Sequence, residues 1–296
     1  MVMPTYLIKP SIIDGSFKKF ITREGLNGNQ HNLDAYKQRS FNALSVFDNK
    51  RLVAVLPYFS FAQHQLLRHE ASQLPQNLLI FSTTYALDPQ GLVLDLKAFA
   101  KTNGKIMVHL PFPCPSLKLF AKSVDPYIDL NAFDEHAFVH SRKWLARQQQ
   151  KWSVFDFVFE KFDRNRHKKT VLTHLKFIAQ RFKMPKAKID AELHDLLFFF
   201  DELYIGVLKQ AGHIASVCFF TINPRRGIHF ESFSFDEKLA KLGPGNALIF
   251  NSICYFKKHN PAEQFYFGTL YAKKIMTSYK LKWCDEVKNN FLYIVD

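Results

Sequence analysis

Several things are scarce in this chain. Glycine accounts for 11 of 296 residues and cysteine for four. The cysteines (Cys114, Cys218, Cys254 and Cys284) stand far apart without a CxxC pair, which argues against a structural zinc site and for reduced thiols. No apolar run approaches the ~18 residues of a membrane helix. The longest, Ile214 to Ile222, is strand-sized. The start, MVMPTYLIKPS, lacks a basic region followed by an apolar stretch, so no secretory signal is expected and the cytoplasm is the expected location. Acidic residues are in deficit, 26 against 40 Lys and Arg, giving a net charge of +14. That balance points to an anionic partner, without separating nucleic acid, membrane surface and phosphorylated cofactor.

What is present is a globular composition, 47% hydrophobic and 22% charged, which excludes a disordered or collagen-like chain. Its length suits one large or two medium domains. Phe is over-used at 31 residues, so large aromatic cores are expected. The positive charge is concentrated. Residues 141 to 188 hold fourteen Lys and Arg against Asp156, Glu160 and Asp163, which is +11 of the +14.

An internal repeat organises the chain. VFDNKRLVAVLPYF (46 to 59) aligns with VLKQAGHIASVCFF (207 to 220) at an offset of 161, and each predicts a β-hairpin around a polar turn. A helix near 91 to 102 and a strand at 105 to 110 follow the first. The helix ALIFNSICYFKK and the strand at 264 to 268 follow the second. Between the copies, 125 to 130 reads as a strand or linker. A helix capped by Asn131 or Asp134 then carries apolar Phe133, Ala137, Trp144, Leu145 and Trp152. A strand at 153 to 160 and two amphipathic helices come next, one on Val171, Leu175, Ile178 and Phe182, the other on Ile189, Leu193, Leu196 and Phe200. The first shows a basic opposite face (Lys169, Lys176, Lys183). A strand at 227 to 235 follows the second hairpin.

The stretch LAKLGPGNALIFNSICYFKK (239 to 258) reads as a loop opening a helix. Gly243 and Gly245 would let the backbone approach a ligand, and the unpaired N–H groups of the first turn favour a phosphate. The plainer reading is an ordinary helix start, with Pro244 at its first position. The first copy has no equivalent beyond Asp88-Pro89-Gln90-Gly91.

A hairpin, a further strand, a Gly-rich loop opening a helix and a closing strand resemble a GNAT-type acyltransferase domain. The Gln or Arg that GNAT loops carry three residues before the first Gly is here Ala240. Three stretches resemble the branch with two tandem GNAT-like units: Fem-type aminoacyltransferases, their acetyltransferase-like relatives and the C-terminal part of arginyl-tRNA–protein transferases. They are PYIDL with SRKWLARQQQKW (126 to 152), FSFDEKLAKLGPGNALIFNSICYFKK (233 to 258) and FYFGTLYAKKIMTSYKLKW (265 to 283). A Cys-rich amino-terminal segment and a long helical arm, found in parts of that branch, are missing.

The resemblance implies an α+β fold of two GNAT-like units, each a mixed, mostly antiparallel sheet flanked by helices. Residues 1–124 would form a first unit without a phosphate loop, and 125–296 a second with the donor site. The implied activity is N-acyl transfer to an amine from an acyl-CoA or aminoacyl-tRNA donor, with no tightly bound cofactor. Lys280 would place positive charge near the carbonyl or the donor phosphates, unless it is a solvated lysine on an edge strand. Tyr279 would protonate the leaving group or pack in the core. Glu231 would deprotonate the amine, or face solvent or a lysine. His229 shares its face and ranks lower. Gly243, Gly245, Asn246, Ala247, Gly268 and Lys273 are the candidate donor-binding residues. Arg142, Lys143, Arg147, Lys168, Lys169 and Lys176 are the candidate nucleic-acid contacts, with a tRNA acceptor stem read by shape and backbone. A non-catalytic protein that binds tRNA or another polyanion through this segment is the alternative. No metal cluster is evident: His64 and His69 lack a third ligand. Cys254 reads as buried rather than nucleophilic.

Overall fold

The computed structural model describes residues 6–12, 17, 19–20, 43–60, 80–81, 87–186, 189–190, 203–223, 227–259, 261–268, 270–271, 279–284 and 286–296. In chain order the elements are β1 (Leu7–Pro10), β2 (Ala43–Asp48), β3 (Arg51–Ser60), β4 (Ile80–Phe81), α1 (Pro89–Asn103), β5 (Ile106–Leu110) and β6 (Lys118–Asp129). Then come α2 (Glu135–His140), α3 (Lys143–Gln149), a 3-10 turn (Trp152–Val154), β7 (Asp156–Lys161), α4 (Lys168–Phe182), β8 (Tyr204–Gln210), β9 (His213–Asn223) and β10 (Gly227–Phe235). A 3-10 turn (Glu237–Leu242) leads into α5 (Pro244–His259). β11 (Gln264–Tyr266), β12 (Leu270–Tyr271), a 3-10 turn (Tyr279–Lys282) and β13 (Glu286–Val295) end the chain.

The described residues pack as two compact units. Those up to Tyr127 belong with those from Leu270 onward, and 128 to 268 form the other. The boundary after 124 and the assignment of 125–296 to the second unit therefore need correcting. β13 threads between β5 and β6, antiparallel to both, and carries the carboxy-terminal segment back into the first unit. Most of the strand entered at 125 likewise belongs to that first sheet, which begins it earlier, at Lys118.

The first sheet runs β1-β2-β3-β5-β13-β6, with β4 on β3 and β12 on β6, all antiparallel. α1 covers one face: Leu92, Leu96 and Phe99 pack with Leu44, Val46, Leu56, Val108 and Val295. The second sheet runs β11-β10-β9-β8-β7, antiparallel except for the β10–β11 pair. Alternate residues of its strands serve opposite faces. Val207, Val217 and Phe219 meet Val171 and Leu175 of α4. Phe220 meets Phe256 of α5 with ring centroids 5.2 Å apart, beside Phe265. The second unit is thus a helix–sheet–helix sandwich, and its α5 side holds a layer of phenylalanines.

Both repeat copies form hairpins with two-residue turns. Asn49 and Lys50 have φ of 44° and 69°, and Ala211 and Gly212 have 47° and 80°, the paired positive values that suit the twist of the flanking strands. The closing pairs are Asp48–Arg51 and Gln210–His213, and each hairpin carries one irregularity next to its turn. These features superpose at an offset of 162, not 161. A one-residue difference exchanges the faces of every side chain, so residues that look alike in sequence do not occupy equivalent places.

The helix expected over 133 to 152 is broken into α2, α3 and a 3-10 turn, with Asp134 as N-cap through Ala137 N–H (2.7 Å). The helix expected on Ile189 to Phe200 lies largely outside the described residues. Among the described residues no helix is long and apolar enough to cross a membrane.

Candidate functional site

Each unit presents one long helix after its hairpin, and the two helix starts differ. In the first unit, Asp88 caps α1 with its own carboxylate, accepting from Gln90 N–H at 3.1 Å and Gly91 N–H at 3.0 Å. Two of the first-turn N–H groups that an anion would use are thereby occupied.

In the second unit the 3-10 turn Glu237–Leu242 replaces the open loop expected before Gly243. Gly243 closes that turn in the left-handed region (φ 67°, ψ 46°), with its N–H donating to Ala240 O at 3.0 Å. Pro244 takes the first position of α5, and no acidic residue stands in its first turn. The glycines are required by close packing. A Cβ on Gly245 would lie 2.7 Å from Phe233 Cζ. One on Gly243 would lie 2.9 Å from Gln148 Oε1 and 3.5 Å from Trp152 Nε1. Asn246 Nδ2 donates to the same Gln148 Oε1 at 2.6 Å. Ala247 is fully buried. Of the predicted residues, Gly243 and Asn246 meet Gln148, with Trp152 also beside Gly243, while Gly245 packs on Phe233 and Phe235.

Trp152 is 6% exposed, stacks obliquely on Phe250 of α5 (5.6 Å), and its indole N–H has no hydrogen-bond partner among the described residues. Gln148 and Trp152 are four residues apart, the spacing of neighbours on a helix. That spacing was the available signal, but Trp152 reads first as an apolar core residue. Arg181, near the end of α4, lies over the Phe235 ring at 4.8 Å, and that ring would be 3.2 Å from a Cβ on Gly245. A guanidinium therefore stands near the start of α5, adding positive potential to that of the helix dipole.

On β10, Glu231 sits at an irregularity between Phe230 and Ser232, half-buried, and accepts from Thr221 Oγ1 at 2.6 Å. His229 stacks on Tyr266 at 4.8 Å. The opposite register of the strand holds a network absent from the sequence reading. His174 of α4, 1% exposed, bonds Ser232 Oγ through Nε2 (2.9 Å) and Ser234 Oγ through Nδ1 (2.8 Å). Burial lowers its pKa to about 3, so the ring is neutral.

Tyr279 and Lys280 form a 3-10 turn within the first unit, not an edge strand of the second. Tyr279 is 40% exposed, against core packing, and Lys280 O accepts from Trp283 N–H at 3.1 Å. Gly268 has φ 74° after β11. Lys273 lies outside the described residues. Burial raises the Cys254 thiol to about 12, which keeps it a poor nucleophile. Among the described residues no group of His, Cys, Asp and Glu is arranged to hold a metal.

The basic segment divides. Lys168, Lys169 and Lys176 are exposed on α4, which covers one face of the second sheet. Lys143 and Arg147 are exposed on α3, the helix whose Gln148 reaches the start of α5 on the other face. Arg142 folds back over the Phe138 ring at 3.9 Å.

No family model and no curated protein matches the sequence. Among solved structures, FemX aligns over 97% of this chain and 97% of its own length, with a TM-score of 0.52 and 10% identity. A tandem GNAT protein from the clavulanic acid biosynthesis pathway aligns over 98% and 97%, with a TM-score of 0.43 and 10% identity. The C-terminal DUF2156 domain from Agrobacterium fabrum aligns over 61% of this chain and 62% of that one, less than two thirds of its length, with a TM-score of 0.46 and 11% identity. Identities this low speak to architecture. With two α+β units and an alignment to FemX over nearly the whole of both chains, this protein has the tandem GNAT-like fold.

Proposed function

We propose that the protein is an N-acyltransferase that moves an acyl or aminoacyl group from an activated donor, an acyl-CoA or an aminoacyl-tRNA, to an amine. The observation that carries this is the start of α5: its first turn has no acidic residue, and the Asn246 amide and the buried Trp152 indole lie beside it, whereas Asp88 caps the helix of the first unit. In the reaction the amine nitrogen attacks the donor carbonyl, and the C–S or C–O bond to the donor breaks. Glu231 takes the amine proton, and the departing sulfur or oxygen takes one from solvent. The opened backbone at Gly268, with φ of 74°, admits the acyl arm. The exposed Lys143 and Arg147 favour a tRNA-borne donor, because they share a helix with the residue that reaches α5.

The second reading is a polyanion-binding protein without catalysis. The exposed Lys168, Lys169 and Lys176 on the α4 layer favour it. Binding and turnover with acetyl-CoA, longer acyl-CoAs and charged tRNA, on wild type and Glu231→Gln, decide between them. Donor-dependent acylation of an amine, strongly reduced in Glu231→Gln, is expected. Salt-sensitive tRNA binding with no acyl transfer from any donor would favour the second reading.

A further inference from the structure

The side chain of Gln148 occupies a place that suits an anion. Around Gly243, at the start of α5, the structure gathers two side-chain donors, Asn246 Nδ2 and the buried indole N–H of Trp152. Gln148 Oε1 is the acceptor seated among them, 2.6 Å from Asn246 Nδ2. It leaves one donor unused, since Trp152 Nε1 is buried and has no partner among the described residues. A buried donor without an acceptor is costly and uncommon, and it marks a place where a second acceptor belongs. A glutamine amide presents a single neutral oxygen. A phosphate presents several charged ones, which can accept from Asn246 and Trp152 together. It also interacts favourably with the helix dipole and with the Arg181 guanidinium over Phe235.

We infer that Gln148 is a displaceable plug on an oxyanion cradle formed by Asn246, Trp152 and the first turn of α5, and that a phosphate group of the donor takes its place. The inference rests on the transferase reading for the identity of the ligand, but not for the plug itself. Gln148 stands on α3 beside the exposed Lys143 and Arg147, so a polyanion engaging that helix acts on the element that carries the plug. The plug is held by one neutral hydrogen bond, whose net worth is about tenfold or less in an equilibrium. An anion therefore displaces it readily.

The test follows the indole N–H signals of the three tryptophans by 15N NMR during titration with inorganic pyrophosphate, with the Trp152 signal assigned through Trp152→Phe. Gln148→Ala is expected to bind pyrophosphate about five- to tenfold more tightly than wild type, with the Trp152 signal moving downfield. Gln148→Glu, which places a carboxylate in the cradle, is expected to abolish binding, and Trp152→Phe to weaken it. Equal affinities of wild type and Gln148→Ala, or a Trp152 signal unmoved at saturation, overturn the plug. Parallel titrations with acetyl-CoA and charged tRNA separate the two ideas. If pyrophosphate binds Gln148→Ala as described while neither donor binds any form, the plug stands and the transferase reading falls. If a donor binds wild type and Gln148→Ala equally and leaves Trp152 unmoved, the plug falls and the transferase reading stands.

Discussion

The two units face the same physical problem at the start of their long helices and solve it oppositely. α1 ends two of its N–H groups on Asp88, the carboxylate of its own N-cap. α5 begins with a proline and two glycines, has no acid in its first turn, and is met by a neutral glutamine on a neighbouring helix. The first helix start is held by its own carboxylate. The second is met by uncharged groups from a distant part of the chain. Two copies of one architecture thus close their helix starts with different chemistry.

The buried histidines extend the contrast. His109 in the first unit has an Nε2 without a partner among the described residues, and burial lowers its pKa to about 4. His174 in the second uses both nitrogens. His174→Leu, which leaves Ser232 and Ser234 unpaired, should cost about 3 kcal/mol in denaturant unfolding. His109→Leu should change stability by less than about 1 kcal/mol, since it removes a polar atom that has no partner among the described residues. A similar loss in both variants would erase the distinction between the units. Both folded pKa values lie below the ~6.5 of an unfolded histidine. The unfolded chain therefore takes up protons first, and this stability is present above pH 6.5 and lost as pH falls toward 4 and 3. Urea midpoints between pH 7 and 4 should show the decline, shallower in His109→Leu.

Gly245→Ala should destabilise by about 1 to 3 kcal/mol, because its Cβ would meet Phe233 Cζ at 2.7 Å in a packed aromatic layer. A neutral result by thermal unfolding would mean that the glycine serves only ligand access. Asp88→Ala should cost about 1 kcal/mol, the usual worth of an N-cap. Asp88→Asn should cost less, and a loss as large as in the alanine variant would point to charge rather than hydrogen bonding. The smallest effect is electrostatic. Neutralising Lys143 and Arg147 should flatten the salt dependence of tRNA binding by about one to two in log–log slope. The same change at Lys168 and Lys169 should leave it alone if the α5 side of the sheet is the one engaged.

Much of the architecture was legible. Alternating β-rich runs around Asp48-Asn49-Lys50 and Gln210-Ala211-Gly212 announced both hairpins, and Pro244 marked the start of α5 within a residue. Gly243 and Gly245 lie in tight packing at the start of α5. Sequence spacing suggested close approach by a ligand, while their immediate neighbours are Gln148, Phe233 and Phe235. The repeat was found at an offset of 161 because Val, Ile, Ala and Phe match well there. The turns and irregularities superpose at 162, since β-propensity does not distinguish the two faces of a strand.

By itself the sequence determined the local units: hairpins, capped helices, the confinement of positive charge to 141–188, and the tandem arrangement. Those features act over a few residues, through backbone preference, periodicity and capping. Tertiary structure alone decided that β13 returns between β5 and β6, taking Tyr279 and Lys280 into the first unit. It also decided that Gln148, nearly a hundred residues before Asn246, closes the start of α5. Such pairings join positions far apart in the chain, where no short-range pattern exists to record which surfaces will meet.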